Sequence, residues 1–255
     1  MQITFLGTGT SNGIPLLACD CPVCRSDNPK NQRLRSSVLL SKDGKNLLID
    51  ASSDFRQQGL KHNIRALEAI LITHIHADHI FGLDEMRRYN QTARRRLKVF
   101  LSADFDREIR EVLRYLYEPP KQIGGGISLL DNQILEPLQT TDIAGFAVTA
   151  LPLKHGQLDI YGYRVDNFAY LTDCSFIPPE TFSALQGVET VVLDALRDTP
   201  HPTHFSLEQA VAAARQIGAR QTYFTHIAHN LEHETTNQKL PANMQLAYDG
   251  LAVQC

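Results

Sequence analysis

Residues 73–79 read Thr-His-Ile-His-Ala-Asp-His, and they follow directly on the apolar run Ala69-Ile70-Leu71-Ile72. A buried imidazole needs a hydrogen-bond partner or a ligand to bind. Three of them and a carboxylate, crowded behind one strand, therefore restrict what the chain can build there. The same placement recurs downstream. His155 closes the strand-like run 146–155, Asp173 closes 168–173, and His226 closes 221–226. In an α/β sandwich the C-terminal ends of strands gather along one edge, where loops assemble sites. Imidazole nitrogen and carboxylate oxygen together suit zinc, manganese or iron.

The remaining pattern supports that architecture. Strands are expected at 3–8, 67–74, 160–166 and 190–196. A hairpin is expected at 36–51, turning at Asp43-Gly44. Apolar residues at Ile109, Val112, Leu113 and Leu116 predict a helix over 104–118. A second helix is predicted over 206–218, with Ser206 and Gln209 as a capping box and Gly218 at its end. We expect one domain over 1–255, each half supplying a sheet with helices outside.

At 255 residues the chain can bury a substantial core. The net charge of −3 gives no general attraction to nucleic acid or anionic lipid. No apolar run approaches the roughly 20 residues that cross a bilayer, and residues 1–15 do not read as a signal peptide. A cytoplasmic protein without a membrane partner is the expectation. Five cysteines, three of them in Cys19-Asp20-Cys21-Pro22-Val23-Cys24, argue for a metal rather than disulfides. Three thiolates need a fourth ligand for tetrahedral zinc. Gly7, Gly9 and Gly13 do not lead into a helix, since Pro15 and the cysteines follow; they read as a tight turn near the metals, not a dinucleotide loop.

The motif His74-x-His76-x-Asp78-His79, with His155, Asp173 and His226 downstream in that order, resembles the metallo-β-lactamase superfamily. The resemblance implies an αββα sandwich over essentially the whole chain. It implies one metal held by His74, His76 and His155, a second by Asp78, His79 and His226, and Asp173 bridging both. The start FLGTGTSNGIPLLACDCPVC is similar to the phosphodiesterase branch typified by the carbon–phosphorus lyase accessory enzyme, phosphoribosyl cyclic phosphate phosphodiesterase. In that branch a cysteine cluster and a histidine three positions after the last active-site ligand hold a structural zinc. Here those residues are Cys19, Cys21, Cys24 and His229.

The resemblance also implies a general acid just before the second predicted helix. His204 occupies that place, with His201 as the competing residue, and Asp78 is counted with His204 as catalytic. The expected activity is hydrolysis of a small, cyclic phosphodiester, using two divalent cations (manganese or zinc) besides the structural zinc. Arg197 is either a phosphate contact or an ordinary surface arginine, and Asp194 is expected nearby. Rival readings are a tRNA 3′-processing ribonuclease, a thioester or lactone hydrolase, and a non-catalytic cofactor-biosynthesis protein. The arginines within 87–98 are read as a solvated face rather than a polymeric nucleic-acid site. Residues 119–128, rich in proline and glycine, read as a lid. A homodimer is compatible with the resemblance.

Overall fold

The computed structural model describes residues 1–118 and 126–255. The expected lid, 119–128, falls largely outside them. Of its described part, Gly126 accepts from Arg87, and Ser128 is buried with its hydroxyl on the Asp84 carbonyl.

Fourteen strands are present among the described residues. The first nine in chain order are β1 (Gln2–Gly7), β2 (Ser37–Lys42), β3 (Lys45–Ile49), β4 (Ala69–Leu71), β5 (Leu97–Leu101), β6 (Leu130–Ile134), β7 (Thr140–Ile143), β8 (Phe146–His155) and β9 (Leu158–Val165). The rest are β10 (Phe168–Leu171), β11 (Thr190–Asp194), β12 (Gln221–Thr225), β13 (Met244–Leu246) and β14 (Ala252–Gln254). They form two seven-stranded mixed sheets, ordered β14-β1-β2-β3-β4-β5-β6 and β13-β12-β11-β10-β9-β8-β7. Each sheet joins an antiparallel half to a parallel half. From β3 to β6 the pairing is parallel, as it is from β10 through β13.

Helices cover both outer faces. They are α1 (Phe55–Lys61), α2 (Ala77–Ile80), α3 (Arg87–Ala93), α4 (Ala103–Val112), α5 (Arg114–Tyr117), α6 (Pro179–Ala184), α7 (Leu207–Ile217) and α8 (His233–Asn237). The alternation within strands assigns the layers. Val38 and Leu40 of β2 meet Tyr163, Phe168 and Tyr170 between the sheets, while Leu39 joins Phe55 and Ile109 under the helices. A strand with both faces covered reads as a continuous apolar run, which is why β3, β4 and β11 are so legible. Each fully buried Leu, Ile or Phe contributes about 1.5–3 kcal/mol of transfer free energy.

The expected αββα sandwich is what forms, with local differences. The 36–51 hairpin turns at Asp43 and Gly44, both at positive φ. Ser206 and Gln209 make the reciprocal capping box of α7, and Gly218 ends it in the left-handed region. The helix expected over 104–118 is instead two, broken at Leu113 (φ −108°, ψ 39°). In the first loop a tight turn forms, with the Gly13 N–H on the Thr10 carbonyl at 2.8 Å and Gly13 at φ 65°, while Gly7 and Gly9 serve a close approach of backbones. A Cβ on Gly7 would stand 2.0 Å from the Arg35 carbonyl, and one on Gly9 2.8 Å from that of Arg33. They let this segment pass between residues 33–36 and Ile227, where Thr8 accepts from Ile227 and Thr10 donates to it. The first loop thus grips the residue after His226.

Candidate metal centre

The strands end, and the chemistry begins, at one edge. His74 lies in the loop between β4 and α2, and Asp78 and His79 in the single turn of α2. His155 is the last residue of β8, Asp173 follows β10, and His226 follows β12. Asp50, Asp173 and His226, each just past a strand, have φ of 62°, 54° and 58°. Left-handed backbone is costly for such residues and persists where surrounding structure fixes it. Here it turns three side chains inward at strand exits.

All seven predicted active-site ligands come together. The donor atoms of His74, His76 and His155 lie within 4.8 Å of one another, as do those of Asp78, His79, Asp173 and His226. Asp173 stands between the two groups. Its Oδ1 is 3.3 Å from His79 Nε2, and its Oδ2 is 3.2 Å from His226 Nε2 and 3.9 Å from His74 Nε2. Asp78 Oδ2 is 3.2 Å from His79 Nε2. Two nitrogen or oxygen ligands on one tetrahedral cation, each at about 2.0–2.1 Å, stand about 3.3 Å apart. His79 Nε2 and His226 Nε2 are buried without a hydrogen-bond partner. Orphaned, converging nitrogens beside carboxylates fit bound divalent cations.

The far nitrogens are held. His79 Nδ1 donates to Asp50 Oδ2 at 2.7 Å, and His155 Nδ1 to the Thr203 carbonyl at 2.8 Å. These contacts fix each ring and direct Nε2 into the cluster of donors. Asp50 is fully buried and also accepts from the Thr73 N–H (2.9 Å) and hydroxyl (2.8 Å). Burial raises its carboxyl pKa against the pull of His79 and those donors. Sequence reading missed Asp50 and the Thr203 carbonyl. The one available signal for Asp50 was a lone carboxylate ending the apolar strand Leu47-Leu48-Ile49.

His204 and His201 are separated clearly. His204 is 8% exposed, and its ring lies 4.6 Å from that of His155 and 4.7 Å from that of His226. Its Nδ1 donates to Asp194 Oδ2 at 2.7 Å, so Nε2 is left for the site. Burial lowers the His204 pKa, with Asp173 opposing. Asp194 also accepts the Cys174 N–H at 2.9 Å, and its Oδ1 is 3.8 Å from His226 Nδ1. One buried carboxylate thus faces both His204 and His226. Burial raises its pKa well above the usual range. His201 is half-buried at the rim. Arg197 is spoken for: its guanidinium donates to the carbonyls of Thr199 (3.2 Å) and Pro200 (2.8 Å), closing the loop that carries both histidines.

The cysteine cluster also assembles. His229 Nδ1 is 3.4 Å from the Sγ atoms of Cys19 and Cys21 and 3.7 Å from that of Cys24. A thiolate at about 2.3 Å and an imidazole at about 2.0–2.1 Å on one tetrahedral zinc stand about 3.6 Å apart. Hydrogen bonding from the Cys24 N–H lowers the Cys21 thiol to about 6. Of the arginines in 87–98, Arg95 pairs with Glu68 at 2.6 Å and Arg96 donates to the Leu130 carbonyl, while Arg94, Arg95 and Arg96 all remain exposed.

Residues 45–227 match the β-lactamase superfamily domain. The chain belongs to the metallo-β-lactamase superfamily. Within the superfamily it aligns over its full length with a diphosphatase of the PhnP family, at 40% identity, 97% of that chain and a TM-score of 0.92. The zinc-bound PqqB of Methylobacterium extorquens shares the fold at 18% identity, with both chains fully covered and a TM-score of 0.79. An octanoyltransferase of Porphyromonas gingivalis is 36% identical over 98% of this chain, but the chain spans about half (51%) of that relative. Fold, relatives and donor geometry together support a metal-dependent hydrolase of the superfamily. No helix among the described residues is long and apolar enough to cross a membrane.

Proposed function

We propose that the protein is a dinuclear phosphodiesterase acting on a small, cyclic phosphodiester. The observation that carries this reading is His204, buried beside His155 and Asp173 and held through Nδ1 by Asp194. A proton donor fixed there suits a leaving group that cannot depart as a free anion, as an alkoxide cannot. Two divalent cations, manganese or zinc, held by His74, His76, Asp78, His79, His155, Asp173 and His226 would lower the pKa of a water and neutralise charge on the phosphoryl oxygens. Asp50 and Thr203 keep the ligand rings aimed. Asp194 keeps His204 in the tautomer and orientation that deliver a proton from Nε2 to the leaving oxygen. The Cys19, Cys21, Cys24 and His229 cluster would hold a zinc away from the reacting atoms and tie the first loop to the loop carrying His226.

The PhnP-family relative described as a diphosphatase favours a second reading, cleavage of a phosphoanhydride. The two differ in leaving group. A departing phosphate needs little protonation, whereas a departing alkoxide depends on it. Metal-loaded protein is assayed on bis(p-nitrophenyl) phosphate, an alkyl cyclic phosphodiester, a diphosphate ester, an aryl lactone and a precursor tRNA. His204→Ala is expected to slow the alkyl diester by about 10²–10⁴-fold and to slow the nitrophenyl diester far less. Equal slowing on all substrates rejects the acid role. Turnover confined to the diphosphate, with little dependence on His204, establishes the second reading. Turnover of the lactone or the tRNA alone rejects both.

A further inference from the structure

The loop between β11 and α7 carries a second imidazole that the proposed mechanism leaves without work. It is tied at both ends. The Arg197 guanidinium closes it through Thr199 and Pro200, and Leu207 N–H donates to the Arg197 carbonyl at 2.8 Å. The loop also presses on the end of β8, since a Cβ on Gly156 would stand 2.8 Å from a Thr203 methyl. His201 is therefore held in place while remaining only half-buried at the rim.

Its proton position follows from its neighbours. The Thr203 backbone N–H donates to His201 Nδ1 at 3.3 Å, and the Thr203 hydroxyl lies 3.1 Å from the same atom. A backbone N–H can only donate, so Nδ1 is an acceptor and the single ring proton sits on Nε2. Among the described residues no protein group accepts that proton. The ring lies 5.2 Å from that of His204, tilted by 49°. Burial, followed by the like charges of His204, Arg197, His155 and His226, lowers its pKa. It is a donor beside His204, nearer the surface than that buried ring.

We infer that His201 is a specificity residue, donating a hydrogen bond from Nε2 to an oxygen of the leaving group beyond the one His204 protonates. This deepens the phosphodiesterase reading and rests on it. The bonded atom is a hydroxyl or ether oxygen outside the phosphate ring, on a carbon next to the one that bears the leaving oxygen. A substrate lacking that oxygen gains nothing from His201. The residue therefore sorts oxygen-bearing diesters from plain alkyl ones without moving a proton.

The test compares two cyclic diesters, ethylene phosphate and glycerol 1,2-cyclic phosphate, which differ in one hydroxymethyl group. His201→Phe is expected to raise KM for the glycerol ester about three- to tenfold, the size of one neutral hydrogen bond. Its kcat should stay within about twofold, and the ethylene phosphate constants should not change. His201→Gln, which keeps an N–H donor, should recover part of the loss. Equal losses on both esters, or no recovery by glutamine, would mean that His201 only shapes its loop. In ¹⁵N-labelled, zinc-loaded protein the His201 ring should show protonated Nε2 and bare Nδ1; a proton on Nδ1 overturns the inference whatever the kinetics. Turnover of neither ester by the wild type removes the phosphodiesterase reading and takes this inference with it. Turnover with no discrimination removes the inference alone.

Discussion

The two candidate metal-binding clusters of this protein are built in opposite ways. The histidine and aspartate cluster is assembled by the fold. Its ligands leave β4 in one sheet and β8, β10 and β12 in the other, and Asp50, Thr203 and Asp194 face their far nitrogens. The cysteine cluster is assembled by a loop. Three of its four ligands fall within six residues, and its apolar support is little more than Ile14, Val23 and Cys24, with Leu16, Cys19 and Cys21 packed on them. A site whose ligands are anchored in two buried sheets stands without its metal. A site with so small a core would depend on a bound metal for its shape, as small zinc modules do. On the proposed reading the first cluster would use folding energy to hold metals for chemistry, and the second would use a metal to hold a loop.

The strongest test of that contrast is Asp173→Asn. Asparagine matches aspartate in size and tolerates the left-handed backbone at this position (φ 54°). The change therefore removes the bridging charge and little else. Metal content at the active pair should fall, and activity should drop by more than the roughly 10–100-fold typical of losing an outer partner. The far-UV circular dichroism spectrum and thermal midpoint should stay close to wild type. Collapse of the fold in this variant would show that the pair also holds the sheets together.

Cys21→Ser should do the reverse. Elemental analysis is expected to find about one metal fewer per chain, with the active pair retained. Without zinc the first loop would lose its clasp on His229, so trypsin is expected to cut faster at the exposed Arg25 in the variant than in the wild type. Activity should fall by less than about tenfold, because His226 is still gripped through Ile227 by Thr8 and Thr10. Unchanged metal content and unchanged proteolysis would remove the structural zinc.

How much of this was legible follows the same division. The ligands were readable because residue type and spacing alone identify them: clustered histidines after an apolar strand, thiols at short intervals. Their supports were not. Asp50 is one aspartate among many until β3 and β4 pair and bring it to His79, and the Thr203 carbonyl has no side chain to notice. Arg197 showed its charge in the sequence but not the carbonyls it binds. The buried strands stood out through continuous apolar runs. The sheet edges did not, since β6 and β7 read Leu-Asp-Asn-Gln-Ile and Thr-Thr-Asp-Ile, and β13 and β14 are three residues each. The break at Leu113 was hidden because Ile109 and Leu116 are buried on either side of it and Leu113 is buried too, keeping the helical spacing while the backbone departs.

The smallest expected effect isolates one of those unseen supports. Gly156 and Gly187 both sit at positive φ, 62° and 78°, so alanine at either costs about 1 kcal/mol of backbone strain. They differ in surroundings. Nothing lies within 4 Å of a Cβ on Gly187, whereas one on Gly156 meets the Thr203 methyl at 2.8 Å. Thr203 is β-branched and its hydroxyl faces His201, so it yields by moving the loop rather than by rotating. Its carbonyl then shifts from His155 Nδ1. Gly156→Ala and Gly187→Ala should lose similar stability in urea melts, while only Gly156→Ala should lose activity, by about two- to tenfold, a fraction of what an outer-partner deletion costs. Equal activity in the two variants would mean that the Thr203 carbonyl does not aim His155. The fold-built cluster would then owe its geometry to the strand ends alone.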